Sequence, residues 1–383
     1  MFKIIQQTIN NKLKCIILLK KTIEFLTTLN FDSKILIESL QKFSSKNVED
    51  KKIIDVILHN FKNNDFSLLS TQEIGFLNTH SPEEWPEYLV FRHKFYEYPN
   101  KKHTSDFPIY LLIEPVSACN LRCTMCFQID ESFTKSKKFM GMMNFDLFKK
   151  IIDESHQNGT KAITLASRGE PTLHPLLDKM LEYCKDKFLE LKLNTNAITL
   201  GENLCHKILQ SNVTDVVFSV DSYQKEHYES IRVGGNFELL LKNIKKFHEI
   251  RDDVYPNSKC ITRISGVRVD EKMDPDEFKN FWQNIVDHVA LVDLQLRWDT
   301  YHNPTDIASS EPCRYLWERM YIWFDGTVNP CDTDYKSELS TGSVLNNSIS
   351  EIWNGQKYSL LRNAHLDGKR SKCYPCDRCP NGS

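Results

Sequence analysis

The sequence predicts an α/β fold in which six parallel strands alternate with helices. Segments with helical periodicity separate six short apolar runs, and strands that alternate with helices pair in parallel through right-handed crossovers. Because six βα units are two short of a closed eight-fold barrel, we expect a partial (β/α)6 TIM-like barrel. The apolar runs lie at residues 109–114, 161–166, 189–194, 215–220, 261–269 and 291–298.

The length and composition limit the class of protein. A chain of 383 residues can form one barrel-sized domain with appendages, or two to three domains. Its net charge of -2 gives no reason to expect a nucleic-acid partner. The run CIILL near the N-terminus is too short for a membrane span and lacks a signal-peptide cleavage site. We therefore expect a cytoplasmic protein with reduced thiols, and the grouping of eight of the 12 cysteines indicates metal binding.

The chain is predicted to begin with a helical extension over residues 1–68. This segment contains neither Gly nor Pro, and its apolar positions have near-helical spacing, as at Ile35, Ile37, Leu40 and Phe43. Residues 69–105 are rich in Pro and aromatic residues, which predicts a linker without a long regular element.

Residues 106–304 are predicted to form the barrel. Asn144 and Asn236 are expected N-caps of two amphipathic helices, the first of which stops before Gly159. After residue 305 the pattern changes to a hairpin around Asp325-Gly326 followed by helices. Residues 305–383 are therefore expected to form a separate small α+β domain.

Three cysteines follow the first strand in a C-x3-C-x2-C pattern at Cys119, Cys123 and Cys126. Three thiolates can hold a 4Fe-4S cluster by three of its irons, which leaves the fourth iron open for a ligand. The alternatives are a zinc knuckle or a chance grouping. Zinc would need a fourth protein ligand, and neither His103 nor Asp130 stands in a recognisable zinc spacing.

The segment Cys119-Asn-Leu-Arg-Cys123-Thr-Met-Cys126 resembles the signature of the radical S-adenosylmethionine (radical SAM) superfamily. The resemblance covers residues 109–300 and implies that S-adenosylmethionine (SAM) chelates the open iron through its amino nitrogen and carboxylate. It further implies reductive cleavage of SAM to a 5'-deoxyadenosyl radical that abstracts hydrogen from a substrate. An electron donor such as flavodoxin or ferredoxin is then required.

A second motif follows the second strand. Gly169, Glu170 and Pro171 resemble the family's Gly-Gly-Glu-Pro element, which binds the methionine amino group, although Arg168 replaces the first glycine. Taken alone, Gly-Glu-Pro would indicate only an ordinary turn.

Further resemblances concern the ends of later strands. Thr195 and Asn196 occupy the position of the family's Thr-Asn-Gly element. Ser219 and Asp221 resemble the family's residues that contact the ribose or the methionine carboxylate of SAM. An equal alternative for Ser219 and Asp221 is a structural role, in which the buried side chain forms hydrogen bonds with backbone groups.

Four more candidates are single residues. Arg268 could pair with the methionine carboxylate, or it could form a surface ion pair. Met125 stands where the family has an aromatic residue near adenine. Asp299 and Tyr301 are candidates for a catalytic acid or base, with a hydrogen-bonded loop role as the alternative.

The second cysteine group resembles the family's SPASM and twitch auxiliary-cluster domains, on the basis of Cys313 and of Gly326-x4-Cys331. The resemblance implies one auxiliary 4Fe-4S cluster held by Cys313, Cys331, Cys376 and either Cys373 or Cys379. A zinc ribbon is the alternative, because C-x2-C pairs are common zinc ligands.

The resemblance implies a radical SAM enzyme, and we expect it to oxidise a small or sugar-like alcohol with help from the auxiliary cluster. One alternative is a radical SAM maturase that modifies a peptide or protein. An alternative of another class is a non-catalytic regulatory protein that binds zinc or an iron-sulfur cluster.

Overall fold

The computed structural model of the chain describes residues 32–294, 300–301 and 309–379. The chain divides into two compact units, with the boundary between Lys94 and Phe95. The described part of the first unit is helical, with α1 (Ser33–Lys42), α2 (Val48–Lys62), α3 (Thr71–Thr79) and the first part of α4 (Trp85–Lys101). The helical extension predicted over residues 1–68 is thus confirmed from residue 32 onward, and its earlier part lies outside the described residues. In α1 the buried residues are Leu36 and Leu40, whereas Ile35 is exposed.

The prediction that residues 69–105 lack a long regular element is wrong, because this segment forms α3 and the 17-residue α4. Ser70 and Glu73 form a capping box at the start of α3. In α4, Pro86 lies in the first turn, where its missing N–H costs no intrahelical bond, and Pro99 lies close to the helix end. Both prolines are thus compatible with a helix that the sequence pattern hides.

The second unit contains all six predicted barrel strands. Each of the first five pairs in parallel with the barrel strand that follows it along the chain. Three further strands from the C-terminal segment extend the sheet on the other side of the first barrel strand. The strands are β1 (Tyr110–Ile113), β3 (Ala162–Leu165), β4 (Glu190–Thr195), β5 (Asp215–Ser219), β7 (Ile261–Arg268) and β8 (His288–Asp293). In the described residues β8 is an edge strand, so the sheet is open, as expected for six units.

Helices connect these strands. The predicted caps are confirmed: the Asn144 side chain accepts a hydrogen bond from the Asp146 N–H (2.8 Å), and Asn236 accepts one from the Leu239 N–H (2.8 Å). The helices are α5 (Glu131–Thr134), α6 (Phe145–Gln157), α7 (Leu177–Cys184), α8 (Glu202–Gln210), α9 (Lys225–Ile231), α10 (Phe237–Val254) and α11 (Pro275–Trp282).

The strands have one apolar and one polar face. Alternate residues such as Leu193, Phe218 and Ile264 are buried in the large core between sheet and helices. The residues between them, such as Lys192 and Arg263, point to the other side of the sheet, which is the inside of the partial barrel.

The C-terminal segment continues the same sheet, which corrects the expectation of a structurally separate domain. Its first strand, β9 (Met320–Ile322), pairs in parallel with β1, and Leu112 lies opposite Tyr321. The predicted hairpin is confirmed by the antiparallel pair of β9 and β10 (Thr327–Asn329). Then follow β11 (Gly342–Ser343), α13 (Ile349–Trp353) and α14 (Gln356–Leu366), after a short α12 at Tyr315–Glu318. Across the parts of the chain with a described structure, no helix is long and apolar enough to cross a membrane.

Candidate functional site

The three-cysteine loop follows the carboxyl end of β1 and is fastened by a short ribbon. Strand β2 (Arg122–Cys123) pairs antiparallel with β6 (Arg232–Val233), so that Cys123 lies opposite Arg232. The Thr124 N–H donates to the Ile231 carbonyl at 2.9 Å. The loop is therefore fixed by a segment more than 100 residues later, directly after α9.

The three thiols of this loop lie close together. Burial raises the pKa of Cys119 to about 11 and that of Cys126 to about 12, and it also raises the pKa of Cys123. Negative charge on Cys119 or Cys123 would raise the pKa of Cys126 further. The three sulfur atoms are therefore close enough to interact electrostatically. Within the described ranges, no three Cys, His, Asp or Glu side chains are placed to hold a single metal ion.

Three neighbouring, half-buried thiols in one short loop match the donor set of a 4Fe-4S cluster with an open iron. The residues present therefore fit the group that the C-x3-C-x2-C pattern implies. Cationic iron would favour the thiolate forms and offset the burial of the sulfur atoms.

Glu170 is the centre of a hydrogen-bond network beside this loop. Its buried carboxylate accepts hydrogen bonds from the Thr195 hydroxyl (2.6 Å), the Asn196 backbone N–H (2.7 Å) and the Thr172 hydroxyl (2.6 Å). The Asn196 amide in turn donates to the Asn120 side chain at 2.8 Å. Burial raises the pKa of Glu170, and these donors oppose the rise. The structure thus brings together the predicted residues Glu170, Thr195 and Asn196 next to the cysteine loop.

Gly169 lies against the backbone of the segment that leads into the cysteine loop. A Cβ at this position would be 2.2 Å from the Val116 carbonyl oxygen and 2.5 Å from that of Ala118. Since backbone atoms cannot yield as a flexible side chain does, only glycine fits.

We expect Gly169→Ala to lower the free energy of unfolding by about 3 kcal/mol or more, because the clash forces backbone shifts. Gly201→Ala is the matched control, since a Cβ there meets nothing within 4 Å, and it should cost less than about 1 kcal/mol. Urea denaturation of both variants measures the difference. Equal costs would show that the close approach at Gly169 is unimportant.

Arg168, where the family has its first glycine, forms a buried ion pair with Glu114. Its Nε and Nη2 atoms donate to the two Glu114 oxygens at 2.7 and 2.6 Å, and its Nη1 donates to the Tyr335 carbonyl at 2.9 Å. The guanidinium also stacks over Trp323, 4.3 Å from the ring centroid. Arg168 therefore links the end of β3 to the C-terminal segment, a role that a glycine could not fill.

Asp221 is paired with a cation that sequence reasoning missed. Its Oδ2 atom lies 2.8 Å from Nε of Arg232, and its Oδ1 accepts the Val267 N–H at 2.8 Å. Both side chains are buried. Burial raises the pKa of Asp221, and Arg232 opposes that rise. Because Arg232 lies opposite Cys123, this pair supports the cysteine loop, and its charge favours the Cys123 thiolate.

The structure does not bring the other predicted residues to the Glu170 network. Arg268 forms an exposed ion pair with Asp293 at 2.7 Å, as its alternative interpretation held. Ser219 ends β5 and is half-buried, as is Met125 in the cysteine loop. Asp299 lies outside the described residues.

Tyr301 lies against the C-terminal segment. Its hydroxyl donates to Asp334 at 2.7 Å and accepts the Lys336 N–H at 2.7 Å, so both of its hydrogen-bonding roles are taken. Burial raises the pKa of the Asp334 carboxyl to about 6. This arrangement agrees with the loop role that the sequence left as an alternative.

Four of the five C-terminal cysteines surround one cavity. Cys313, Cys331, Cys376 and Cys379 line this cavity together with Arg370. Cys373 instead lines a neighbouring surface depression beside Leu339 and Lys357. Four converging thiols fit a fully ligated 4Fe-4S cluster.

Known protein families match both cysteine-bearing parts of the chain. A family model described as the radical SAM superfamily matches residues 113–281, and one described as an iron-sulfur cluster-binding domain (SPASM) matches residues 313–380. The tungsten-containing aldehyde ferredoxin oxidoreductase cofactor-modifying protein of Pyrococcus furiosus is 35% identical over 305 residues. That match covers 66% of this chain and 83% of the relative.

The chain belongs to the radical SAM superfamily. Another relative, the GTP 3',8-cyclase of Clostridium botulinum, is 26% identical over 308 residues, covering 69% of this chain and 94% of the relative. The crystal structure of Streptococcus suis SuiB bound to S-adenosylmethionine shares the fold, with a TM-score of 0.54 and 17% identity over 90% of this chain and 91% of SuiB. The cofactors of this radical SAM protein are 4Fe-4S clusters and SAM, and its C-terminal segment is a SPASM domain.

Proposed function

We propose that the protein is a radical SAM enzyme that abstracts hydrogen from a small, sugar-like alcohol and oxidises it with the help of one auxiliary 4Fe-4S cluster. One observation carries this proposal. A three-thiol loop beside the Glu170 network follows strand β1, and a second, four-thiol cavity lies in the segment whose strand β9 pairs with β1. A three-thiol site leaves a position open for SAM, whereas a four-thiol site suits electron transfer.

The residues of the chain would have separate roles in this enzyme. Cys119, Cys123 and Cys126 would hold the first cluster, and Glu170 with Asn196 would orient the amino group of SAM at the strand ends. When bound, the cluster and SAM supply radical chemistry that removes a hydrogen atom from a substrate carbon. An external one-electron donor such as a flavodoxin or ferredoxin would be required.

The four-thiol cavity supports Cys313, Cys331, Cys376 and Cys379 as the auxiliary ligands, with Cys373 as the spare. We expect Cys379→Ala to lower the iron content of anaerobically reconstituted protein from about eight to about four atoms per chain. Cys373→Ala is the matched control and should retain about eight. Iron analysis of the two variants decides the assignment, and the reverse pattern would make Cys373 the ligand.

The names of two relatives, described above, support a small-molecule substrate. One is a cofactor-modifying protein and the other a cyclase acting on GTP, and both names point away from a peptide chain. A peptide or protein maturase remains the competing function, and a non-catalytic iron-sulfur or zinc protein the competing class.

A fractionated cell extract separates these functions. The reconstituted enzyme, dithionite and SAM are incubated with either a protease-treated low-mass metabolite pool or the protein fraction, and 5'-deoxyadenosine is measured. We expect the metabolite pool to stimulate its formation. Stimulation by the protein fraction alone would indicate a maturase, and no SAM cleavage under any condition would indicate a non-catalytic protein.

A further inference from the structure

The inner face of the barrel sheet carries polar side chains without partners. On β4, β5 and β7, the side chains of Asn194, Ser219 and Ser265 make no hydrogen bond within the described residues, and all three are only half-buried. Their neighbours along each strand face the apolar core on the other side. Polar groups at such positions are open to a ligand inside the barrel.

Strand register places these groups in adjacent rows. Asn194 lies opposite Val217, and Val217 opposite Arg263, which in turn lies opposite His288 on β8. Ser219 and Ser265 form the next row toward the carboxyl ends of the strands. In parallel strands, residues in register point to the same side of the sheet, so these rows line one surface.

Arg263 is the cation of this surface that lacks a carboxylate. Its Nε atom is buried and has no hydrogen-bond partner among the described residues. By contrast, Lys192 on β4 forms an ion pair with Glu190 at 2.8 Å. Arg268, on the same strand as Arg263, forms one with Asp293 at 2.7 Å. The Arg263 side chain as a whole is half-buried, but its Nε–H is shielded from water. A buried donor without an acceptor is costly, and an anion bound inside the barrel would supply that acceptor.

We propose that this inner face binds the anionic group, a carboxylate or a phosphate, of a small hydrophilic substrate, with Arg263 as its main ligand. The guanidinium fork offers two parallel donors to either anion. Asn194 and Ser265 would bind hydroxyl groups of the same molecule. The proposal rests on the proposed function, because it names the substrate class of that enzyme.

Arg263 stands apart from Glu170 and Asn196, the predicted SAM residues of the hydrogen-bond network. It lies five residues before the carboxyl end of β7, whereas Glu170 and Asn196 follow the ends of their strands. The anion of the substrate would thus be held deep in the barrel, with the reacting carbon above it toward the cysteine loop.

The test uses anaerobically reconstituted protein with SAM present and three probes: glucose 6-phosphate, gluconate and glucose. Calorimetric titration should detect binding of one or both anionic probes and at least about tenfold weaker binding of glucose. Tighter binding of glucose 6-phosphate would indicate a phosphate site, and tighter binding of gluconate would indicate a carboxylate site. Equal affinity for all three probes, or no binding of either anion, would overturn the proposal.

Two variants complete the test. Arg263→Met should weaken binding of the anionic probe about tenfold or more. It should not lower the Tm of the ligand-free protein, because the buried Nε atom has no hydrogen-bond partner within the described ranges. Arg268→Met is the control on the same strand and should leave probe affinity unchanged. A lower Tm with unchanged probe affinity in Arg263→Met would assign Arg263 a structural role and refute the proposal.

SAM cleavage is measured separately on the same preparations. If 5'-deoxyadenosine forms but Arg263→Met binds the probes normally, the substrate class is wrong while the radical SAM enzyme stands. If no preparation cleaves SAM, the proposed function itself fails, whatever the probes bind.

Discussion

Cys126→Ala is expected to abolish 5'-deoxyadenosine formation and to lower the iron content from about eight to about four atoms per chain. Cys126 is one of three neighbouring thiols in the loop after β1, and burial raises its pKa to about 12. The two remaining thiols cannot hold a cluster with a defined open iron. Anaerobic reconstitution, iron analysis and chromatography of the reaction products measure both effects.

Cys373→Ala is the control for the Cys126 variant, because Cys373 lines the surface depression rather than either cluster site. The Cys373→Ala variant should retain the iron content and the rate of SAM cleavage of the unaltered protein. If Cys126→Ala still forms 5'-deoxyadenosine at the rate of the unaltered protein, the three-thiol loop is not the site of the SAM-binding cluster.

Asp221→Asn should lower the free energy of unfolding by about 3–5 kcal/mol, because it leaves the Arg232 guanidinium buried without its counter-charge. The two side chains are 9% and 0% exposed, and their atoms lie 2.8 Å apart. Arg232 belongs to β6, which pairs with β2, so the cysteine loop should also loosen. Urea denaturation of the protein without metal measures the loss of stability.

Two further variants distinguish a lost ion pair from general damage. The double variant Asp221→Asn/Arg232→Met removes both charges and should recover at least half of the lost stability. Asp293→Asn breaks the exposed pair with Arg268 and should cost less than about 1 kcal/mol. A loss at Asp221 as small as that at Asp293 would show that the buried pair does not stabilise the fold.

Much of the fold could be predicted because its signals are local. Each barrel strand is a short apolar run, and the caps at Asn144 and Asn236 depend on the next few residues. The helix α4 was missed because Pro86 and Pro99 look like helix breakers until their positions near the two helix ends are known. The pairing of β9 with β1 joins segments 200 residues apart, which no local pattern indicates.

In the candidate site, too, some residues are identified by a local motif and others only by the three-dimensional structure. The motifs at Cys119 to Cys126 and at Gly169-Glu170 are contiguous and could be recognised directly. Arg232 could not be assigned, since its role depends on the β2–β6 ribbon and on Asp221. The choice between Cys373 and Cys379 likewise needs the cavity that Cys313 and Cys331 complete. Arg263 carries no motif, and its proposed role rests on its buried Nε atom, which has no hydrogen-bond partner among the described residues.

Reductive cleavage of SAM at the three-thiol loop is the reaction on which the proposed function depends. An anaerobic assay tests it: the protein is reconstituted with iron and sulfide, reduced with dithionite and given SAM, and 5'-deoxyadenosine is quantified. We expect about eight irons per chain and formation of 5'-deoxyadenosine. Intact SAM in the presence of fully loaded and reduced clusters would contradict cleavage at this loop.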